Sequence, residues 1–490
     1  MIRTSQTHPL EVATLEPGPG LGRIGLTFCP GKQQAAAFTG SWQRDLGLDL
    51  DAVRDWGAAV VVTLVEAHEL EALQVTALGD EVRARHIEWR HLPIVDVSVP
   101  DAAFEEAWHV QGEGLRARLR SGFDVLVHCK GGLGRAGMIA ARLLVELGHP
   151  PAEAVAAVRK VRPGAVETFA QVEHVYAQRP IRSRQPSTTP AAVRDRAIGA
   201  LLGLAVGDAL GTTLEFKARD SYPPLSDIVG GGPFRLEPGR WTAATAMALA
   251  LADSLLAHPE LDPHDLMTRF CDWRDSDAYS CTGTCFDVGM TVSGALNRFR
   301  RTGDPLAGSP DRMSAGNGAL MRLSPVAIRH WRNSATLREV ARLQTLTTHG
   351  AAEAVEASVA YAQLIARAIA GEPRDGVLAP QSTSGTATIA RILAGSWRGK
   401  PRSAIRASGY VAHSLEAALW SIGRTATFAD AVLTAANLGE DADTTAAITG
   451  QLAGALYGLS AIPSGWLDKL AWREKIERVA EELFTKTRNP

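Results

Sequence analysis

The sequence predicts two domains: an α/β domain with a mostly parallel central sheet, followed by an all-α bundle. Three observations predict this. Residues 28 to 178 alternate strand and helix signals. Residues 179 to 191 are polar and proline-punctuated (Arg-Pro-Ile-Arg-Ser-Arg-Gln-Pro-Ser-Thr-Thr-Pro), and the chain beyond is alanine-rich at helical spacing. The resulting division is an N-terminal extension over 1–21, a first domain over 22–178, a linker over 179–191 and a second domain over 192–490.

Taken in order, Ala58-Ala-Val-Val-Val-Thr-Leu-Val65 and Val125-Leu-Val-His128 are the clearest strands, apolar enough for the centre of a parallel sheet. Phe123 to Cys129 reads as a strand, and Arg135 to Leu147 as a helix with apolar residues at 138, 139, 142 (by its stem), 143, 144 and 147. In the second domain Ile198, Leu201, Leu202, Ala205 and Val206 repeat at helical spacing, as do Met247, Leu249, Leu251 and Leu255 with alanines between them. Apolar runs such as Ala197 to Val206 stop at Asp208 and are too short to span a bilayer.

The chain of 490 residues is 46% hydrophobic and 21% charged, which suits domains with sizeable cores. Its net charge of −2 argues against a dedicated nucleic-acid or membrane surface, while leaving room for a small nucleotide ligand. The five cysteines (29, 129, 271, 281, 285) form no regular framework, and Cys281-Thr-Gly-Thr-Cys285 has the wrong spacing for a zinc knuckle. With no basic start and apolar run in the first thirty residues, the expected location is a reducing one, the cytoplasm.

Between the strand and helix of the first domain lies His128-Cys-Lys-Gly-Gly-Leu-Gly-Arg-Ala-Gly137. Gly131, Gly132 and Gly134 let loop amides converge on an anion at a helix N-terminus. That field favours the thiolate of Cys129, the form that attacks. In this reading Cys129 attacks phosphorus, Arg135 grips two phosphoryl oxygens through its planar fork, and the amides of Lys130, Gly131, Gly132, Leu133 and Gly134 cradle the charge. The leaving oxygen needs a proton, and Asp96, in the loop His91-Leu-Pro-Ile-Val-Asp-Val-Ser-Val-Pro-Asp101, is the candidate acid. Asp101 is the alternative, or a cap for the following helix.

On these residues the first domain resembles the dual-specificity phosphatases, of the cyclin-dependent-kinase-inhibitor-3-like branch. Phe28-Cys-Pro-Gly-Lys32, the Asp96 loop, the His128 to Gly137 signature and Arg162-Pro-Gly-Ala-Val-Glu-Thr168 with Gln171 carry the resemblance. It implies a cysteine-phosphatase fold and a phosphomonoesterase working through a phosphocysteine, without metal or cofactor. It also makes His128 a residue that tunes the loop; the residue alone reads as a satisfied core histidine. Ala136 departs from the pattern, which places Ser or Thr after the arginine to bond the leaving thiolate, so phosphocysteine breakdown is expected to be slow.

Three acidic segments mark the second domain. Gly207-Asp-Ala-Leu-Gly-Thr-Thr-Leu-Glu-Phe216 brings Asp208 and Glu215, Tyr279 to Asp287 brings Asp287, and Leu438-Gly-Glu-Asp-Ala-Asp-Thr-Thr-Ala446 brings Asp441, Asp443 and Thr444. Hard oxygen ligands so grouped suit Mg²⁺ or Mn²⁺. The competing reading makes Asp441 and Asp443 caps of the helix from Thr444 to Leu456.

With Arg240-Trp-Thr-Ala-Ala-Thr-Ala-Met-Ala-Leu249, Ser314-Ala-Gly-Asn-Gly-Ala-Leu-Met-Arg322, Thr348-His349 and Gly409-Tyr-Val-Ala-His-Ser-Leu-Glu416, these segments resemble the ADP-ribosylglycohydrolases, the family of dinitrogenase-reductase-activating glycohydrolase. The resemblance implies an all-α hydrolase bundle with two Mg²⁺ or Mn²⁺ ions that bind the ribose of ADP-ribose and activate water. The implied ligands are Thr242, Glu215, Asp441, Asp443 and Thr444, with Asp287 as base or further ligand. Gly316, Asn317 and Gly318 are expected to line ADP-ribose through backbone groups, and His349 either faces the ligand or is structural. Where the family has Thr-Asp-Asp-Thr, this chain has Thr242-Ala-Ala-Thr245. Methyl groups do not coordinate a hard cation, so metal binding is expected to be reduced or absent. Ala243 and Ala244 read either as deliberate inactivation, of the kind used to trap a ligand, or as a natural pseudo-hydrolase that still binds ADP-ribose. The expected whole is a bifunctional hydrolase acting on a phosphorylated substrate and on ADP-ribose or an ADP-ribosylated or phosphoribosylated substrate, or else an ADP-ribose reader carrying a phosphate-recognition domain.

Overall fold

The computed structural model describes residues 2–37 and 40–487. They form two compact units, one of Met1–Arg184 with Gly423–Ala426 and one of Gln185–Ile422 with Thr427–Pro490.

The first unit is built on β1 (Ala13–Leu15), β2 (Ile24–Phe28), the hairpin strands β3 (Gln33–Ala37) and β4 (Gly40–Gln43), then β5 (Ala58–Thr63), β6 (Glu88–His91) and β7 (Asp124–Cys129). The main sheet runs β1-β2-β7-β5-β6, parallel except for the edge pair β1–β2. Every residue of β5 is buried, as its unbroken Ala-Ala-Val-Val-Val-Thr run requires of a central strand covered on both faces. The strands end on one side of the sheet, where an open parallel sheet places its ligands: Cys129 at the end of β7, Thr63 at the end of β5 and His91 at the end of β6. The β3–β4 hairpin was not expected, because Gln33-Gln-Ala-Ala-Ala37 has no alternation of β-branched or aromatic residues to mark a strand.

The second unit is helical. Its central helix, Pro190–Gly211, opens with Thr189 as cap and Pro190 at the first helical position, before the expected end of the linker. It also runs past Asp208 rather than stopping there. By length and composition it is long and apolar enough to cross a membrane, but 94% of its most apolar window is buried within the protein. It packs against the helix Ala442–Tyr457 through small residues four apart. A Cβ on Gly203 would lie 2.3 Å from the Gly450 carbonyl oxygen, and one on Gly207 2.2 Å from that of Ala446. One on Gly211 would lie 2.4 Å from the Ala442 oxygen. Backbone therefore meets backbone, and the N-terminus of Ala442–Tyr457, with Asp441 and Asp443, is drawn against the end of the helix that carries Asp208.

Candidate functional site

The loop after β7 wraps its own nucleophile. The Gly132 amide donates to Cys129 Sγ at 3.2 Å. Gly132 has φ +71°, and a Cβ there would sit 2.5 Å from the Thr27 carbonyl of β2, so the turn needs glycine for both conformation and space. Gly131 has open space above it, Leu133 occupies the N-cap of the helix Gly134–Glu146, and the Gly131 and Gly132 carbonyls are held from outside by Arg162 at 3.1 and 3.2 Å. Lys130 gives its carbonyl to the Cys29 amide and to Lys32 Nζ, both at 3.4 Å.

Arg135 is buried and already gripped. Its two terminal nitrogens donate to both carboxylate oxygens of Glu69 at 2.6 and 2.9 Å, and Nη1 also reaches the Ile94 carbonyl at 2.9 Å. Burial alone would raise Glu69, but the Arg135 bonds and a backbone bond from Glu66 outweigh it and hold the carboxyl below its usual range. Asp96 lies 2.8 Å from Arg135 Nη2 with half of its side chain exposed, so in this state it is paired with the arginine rather than suspended over Cys129. Asp101 is a helix cap, accepting from the Phe104 amide at 2.8 Å. A cleft of about 280 Å³ lined by Gln34, His68, Glu69, Asp96 and Lys130 opens beside this group.

His128 is buried, with Nε2 2.7 Å from the Thr63 hydroxyl, which also accepts from Trp89 Nε1 at 2.8 Å. Burial first, then the charges of His91 and Arg135, push it down to about 4, so it is neutral. Lys32 is a buried ammonium 4.1 Å from the Trp42 ring centroid and 5.0 Å from that of Phe28, lowered to about 8 chiefly by burial. Sequence reasoning named neither Glu69 nor the role of Lys32. Glu69 reaches Arg135 across sixty-six positions with no local signal, whereas Lys32 was quoted without a task.

In the helical unit, Glu215, Asp441 and Asp443 offer one carboxylate oxygen each, all within 4.8 Å of one another. Asp443 and Glu215 are buried; Asp441 is half-buried. Burial and then Asp441 push Glu215 up to about 8, and burial and then the charges of Glu215, Asp287, Asp441 and Asp208 push Asp443 well above its usual range. Asp441 occupies the N-cap of Ala442–Tyr457. Its Oδ2 also accepts from Asn317 Nδ2 at 2.7 Å.

Asp208 is a correction. It is fully buried and spent on the helix Ala243–Ala257, accepting from the amide and hydroxyl of Thr242 at 2.9 and 2.7 Å and of Thr245 at 2.8 and 2.6 Å. Thr242 Oγ1 also lies 3.1 Å from Asp443 Oδ2, and Thr444 bonds Asp443 through its amide at 2.6 Å. Ala243 and Ala244 form the first turn of that helix, beside Thr242. Asp287, half-buried at φ +59°, is pushed up to about 7 by burial and by Asp208 and Asp441.

The Gly316–Gly318 loop differs from expectation. The Asn317 amide donates to the Gly409 carbonyl at 3.1 Å, and its side chain bridges Ser414 Oγ, at 2.8 Å, and Asp441, so it orients a carboxylate rather than offering a free backbone group. His349 is buried, bonded through Nδ1 to Thr348 at 2.8 Å, and lies under the loop: a Cβ on Gly318 would come within 2.9 Å of its ring and one on Gly316 within 3.2 Å. Of its two readings the structural one describes this placement.

Residues 189–490 match the family model described as ADP-ribosylglycohydrolase, well over half of the chain. The chain belongs to the ADP-ribosylglycohydrolase family. An ADP-ribosylarginine hydrolase Tri1 of Pseudomonas putida is 43% identical over 321 residues, 65% of this chain and 86% of that protein. A solved ADP-ribosylglycohydrolase-related protein complex is similar with a TM-score of 0.55 at 40% identity, covering 60% of this chain and 99% of that one. Residues 39–185 match a second model, a Swiss Army Knife protein DSP-PTPase phosphatase domain. Over 137 residues, 27% of this chain and 63% of the relative, the sequence is 31% identical to cyclin-dependent kinase inhibitor 3 of Rattus norvegicus. This ADP-ribosylglycohydrolase thus carries a dual-specificity phosphatase domain ahead of its helical domain, and both domains belong to hydrolase families.

Proposed function

We propose that the chain is a bifunctional hydrolase in which the phosphatase centre is intact and the ADP-ribosyl centre, as this sequence stands, binds rather than cleaves. The observation that carries the reading is the contrast at the two centres: Cys129, Arg135 and Glu69 are fully engaged in a phosphate-binding arrangement, whereas three converging carboxylates stand beside Ala243 and Ala244.

At the first centre a phosphoryl dianion takes Arg135 Nη2 from Asp96 and frees that carboxyl to hold a proton. Cys129 Sγ forms the S–P bond as the P–O bond to the alcohol breaks, and Asp96 protonates the departing oxygen. Water then attacks phosphorus, gives its proton back to Asp96 and releases phosphate and the thiolate. A reducing, cytoplasmic setting keeps that thiol free.

At the second centre the donor set fits a hard divalent cation, because carboxylate oxygens of Glu215, Asp441 and Asp443 lie within 4.8 Å of one another. Glu215, Asp441, Asp443 and the hydroxyls of Thr242 and Thr444 would hold Mg²⁺ or Mn²⁺, and a bound ion supplies charge neutralisation and a more acidic water. Asn317 fixes Asp441, and Asp287 stands as the proton acceptor. Methyl groups at 243 and 244 leave the second of two ions without carboxylates, so the ADP-ribosyl bond survives. Following the name of the Pseudomonas putida relative, the acceptor is arginine. A substrate carrying both phosphate and ADP-ribose would unite the two centres.

The test has two arms. Phosphate release from para-nitrophenyl phosphate, abolished by Cys129→Ser, establishes the first activity. ADP-ribose release from ADP-ribosylarginine with Mg²⁺, absent in this chain and gained on Ala243→Asp with Ala244→Asp, establishes the second. Failure of the restored protein to release ADP-ribose sinks the hydrolase reading.

A further inference from the structure

Three phenylalanines, two of them adjacent in the chain to acidic residues of the second centre, have no task in the chemistry above. Phe216 directly follows Glu215, and Phe286 directly precedes Asp287. Phe234 lies between them, with ring centroids 6.2 Å from Phe216, edge-on, and 5.1 Å from Phe286. The three rings thus form one cluster of edge-on and tilted contacts, joining the residue after Glu215 to the residue before Asp287.

The backbone presents this face at a cost. Phe216 is 68% exposed and holds φ +60°, a left-handed conformation that a bulky residue rarely adopts. It is kept there by reciprocal bonds with the segment leading into Asp441: the Phe216 amide donates to the Glu440 carbonyl, and the Glu440 amide to the Lys217 carbonyl, both at 2.8 Å. Glu440 itself has φ +61° and Asp287 φ +59°. Strain of this kind persists where surrounding structure enforces it and gathers at ligand sites. Three such residues bracket the rings and the carboxylates.

Electrostatics selects the ligand. Aromatic faces carry negative potential. A pyrophosphate is repelled there, and a neutral base gains no charge attraction. A guanidinium is planar, weakly hydrated, always charged and stacks on rings. We propose that Phe216, Phe234 and Phe286 form the acceptor subsite of the hydrolase centre, a stacking face that receives the guanidinium of an ADP-ribosylated arginine and discriminates against uncharged acceptors. The inference rests on the hydrolase reading above.

The test uses the full chain, retaining Ala243 and Ala244, and measures binding of two probes by calorimetry with Mg²⁺: ADP-ribosylarginine and free ADP-ribose. Phe216→Ala is expected to weaken ADP-ribosylarginine roughly fivefold, the scale of one exposed cation–π contact, and to leave ADP-ribose unchanged. Phe216→Trp is expected to restore it. Phe286→Ala, with its melting temperature recorded, repeats the test from the other end of the face. Equal losses for both probes would mean that the rings hold the ADP-ribose portion, and no loss for either would mean that they hold nothing; each overturns the subsite. If neither probe binds the unsubstituted chain, the hydrolase reading falls first and the subsite with it.

Discussion

The two centres of this chain solve opposite electrostatic problems. Around Cys129 the loop amides, Arg135 and Lys32 gather positive potential for an anion, and two carboxylates, Glu69 and Asp96, offset it. Around Asp443 the charges of Glu215, Asp287, Asp441 and Asp208 gather negative potential. The first centre is local, a seven-residue loop between adjacent elements, whereas the second is assembled from segments near 208–216, 242–245, 287, 317 and 441–444. A local site depends on its loop; a dispersed one depends on the packing that brings the segments together.

The strongest test of that difference is Gly207→Val. Its Cβ would lie 2.2 Å from the Ala446 oxygen, a backbone atom that cannot swing away, so the two central helices must separate. Overpacking of this severity is expected to cost about 3 kcal/mol or more. ADP-ribose binding should disappear while para-nitrophenyl phosphate turnover persists. Parallel loss of both activities would show that the centres are not independent.

The matching test at the first centre is Glu69→Gln. A carboxamide offers Arg135 one acceptor instead of two charged ones and places an NH₂ group against the guanidinium. With the fork misaligned, kcat/KM for para-nitrophenyl phosphate is expected to fall roughly 100-fold, the scale of one lost transition-state donor, without loss of Mg²⁺-dependent ADP-ribose binding. An unchanged kcat/KM would remove Glu69 from the machinery.

These two substitutions also mark the limits of sequence reading. The cysteine loop was legible because strand, glycines, nucleophile and arginine lie within fifteen residues of one another, each with a local physical signature. Glu69 was not, since nothing around it distinguishes a helix-start glutamate from the clamp of a distant arginine. In the second domain the ligand segments were recognisable one by one. The spacing of Gly199, Gly203, Gly207 and Gly211, repeated in Ala442, Ala446, Gly450 and Gly454, is visible in hindsight as the contact that joins them. Asp208 misled because a buried carboxylate capping a helix and one awaiting a metal look alike until their donors are known.

Lys32→Met sharpens the comparison through pH. Lys32 lies near Cys29, Arg44, Cys129 and Arg162, and burial brings it down to about 8 from an ordinary 10.5. Between those values the unfolded chain binds more protons than the folded one, so stability rises with pH through that window and the buried charge is a burden below it. Replacement by Met is therefore expected to raise the unfolding midpoint at pH 7. It should also lower kcat/KM there by about threefold to tenfold, through loss of one buried cation near the loop, and remove the fall in activity as pH climbs past 8. A lower midpoint together with an unaltered pH profile would refute this role.

Ala136→Ser carries the smallest effect and bears on the second half of the phosphatase cycle alone. Ala136 is buried in the first turn of the helix that begins at Gly134, directly after Arg135. A hydroxyl there would donate to the Cys129 thiolate as it leaves phosphorus, and one such bond, worth about 1 kcal/mol, corresponds to roughly a fivefold rate change. Release of the alcohol precedes that step, so kcat/KM should stay constant while kcat rises and the initial burst of para-nitrophenol shrinks. A rise in kcat/KM instead would mean that the serine aids the attack of Cys129, and an unchanged burst would mean that breakdown of the phosphocysteine is not the slow step in this chain.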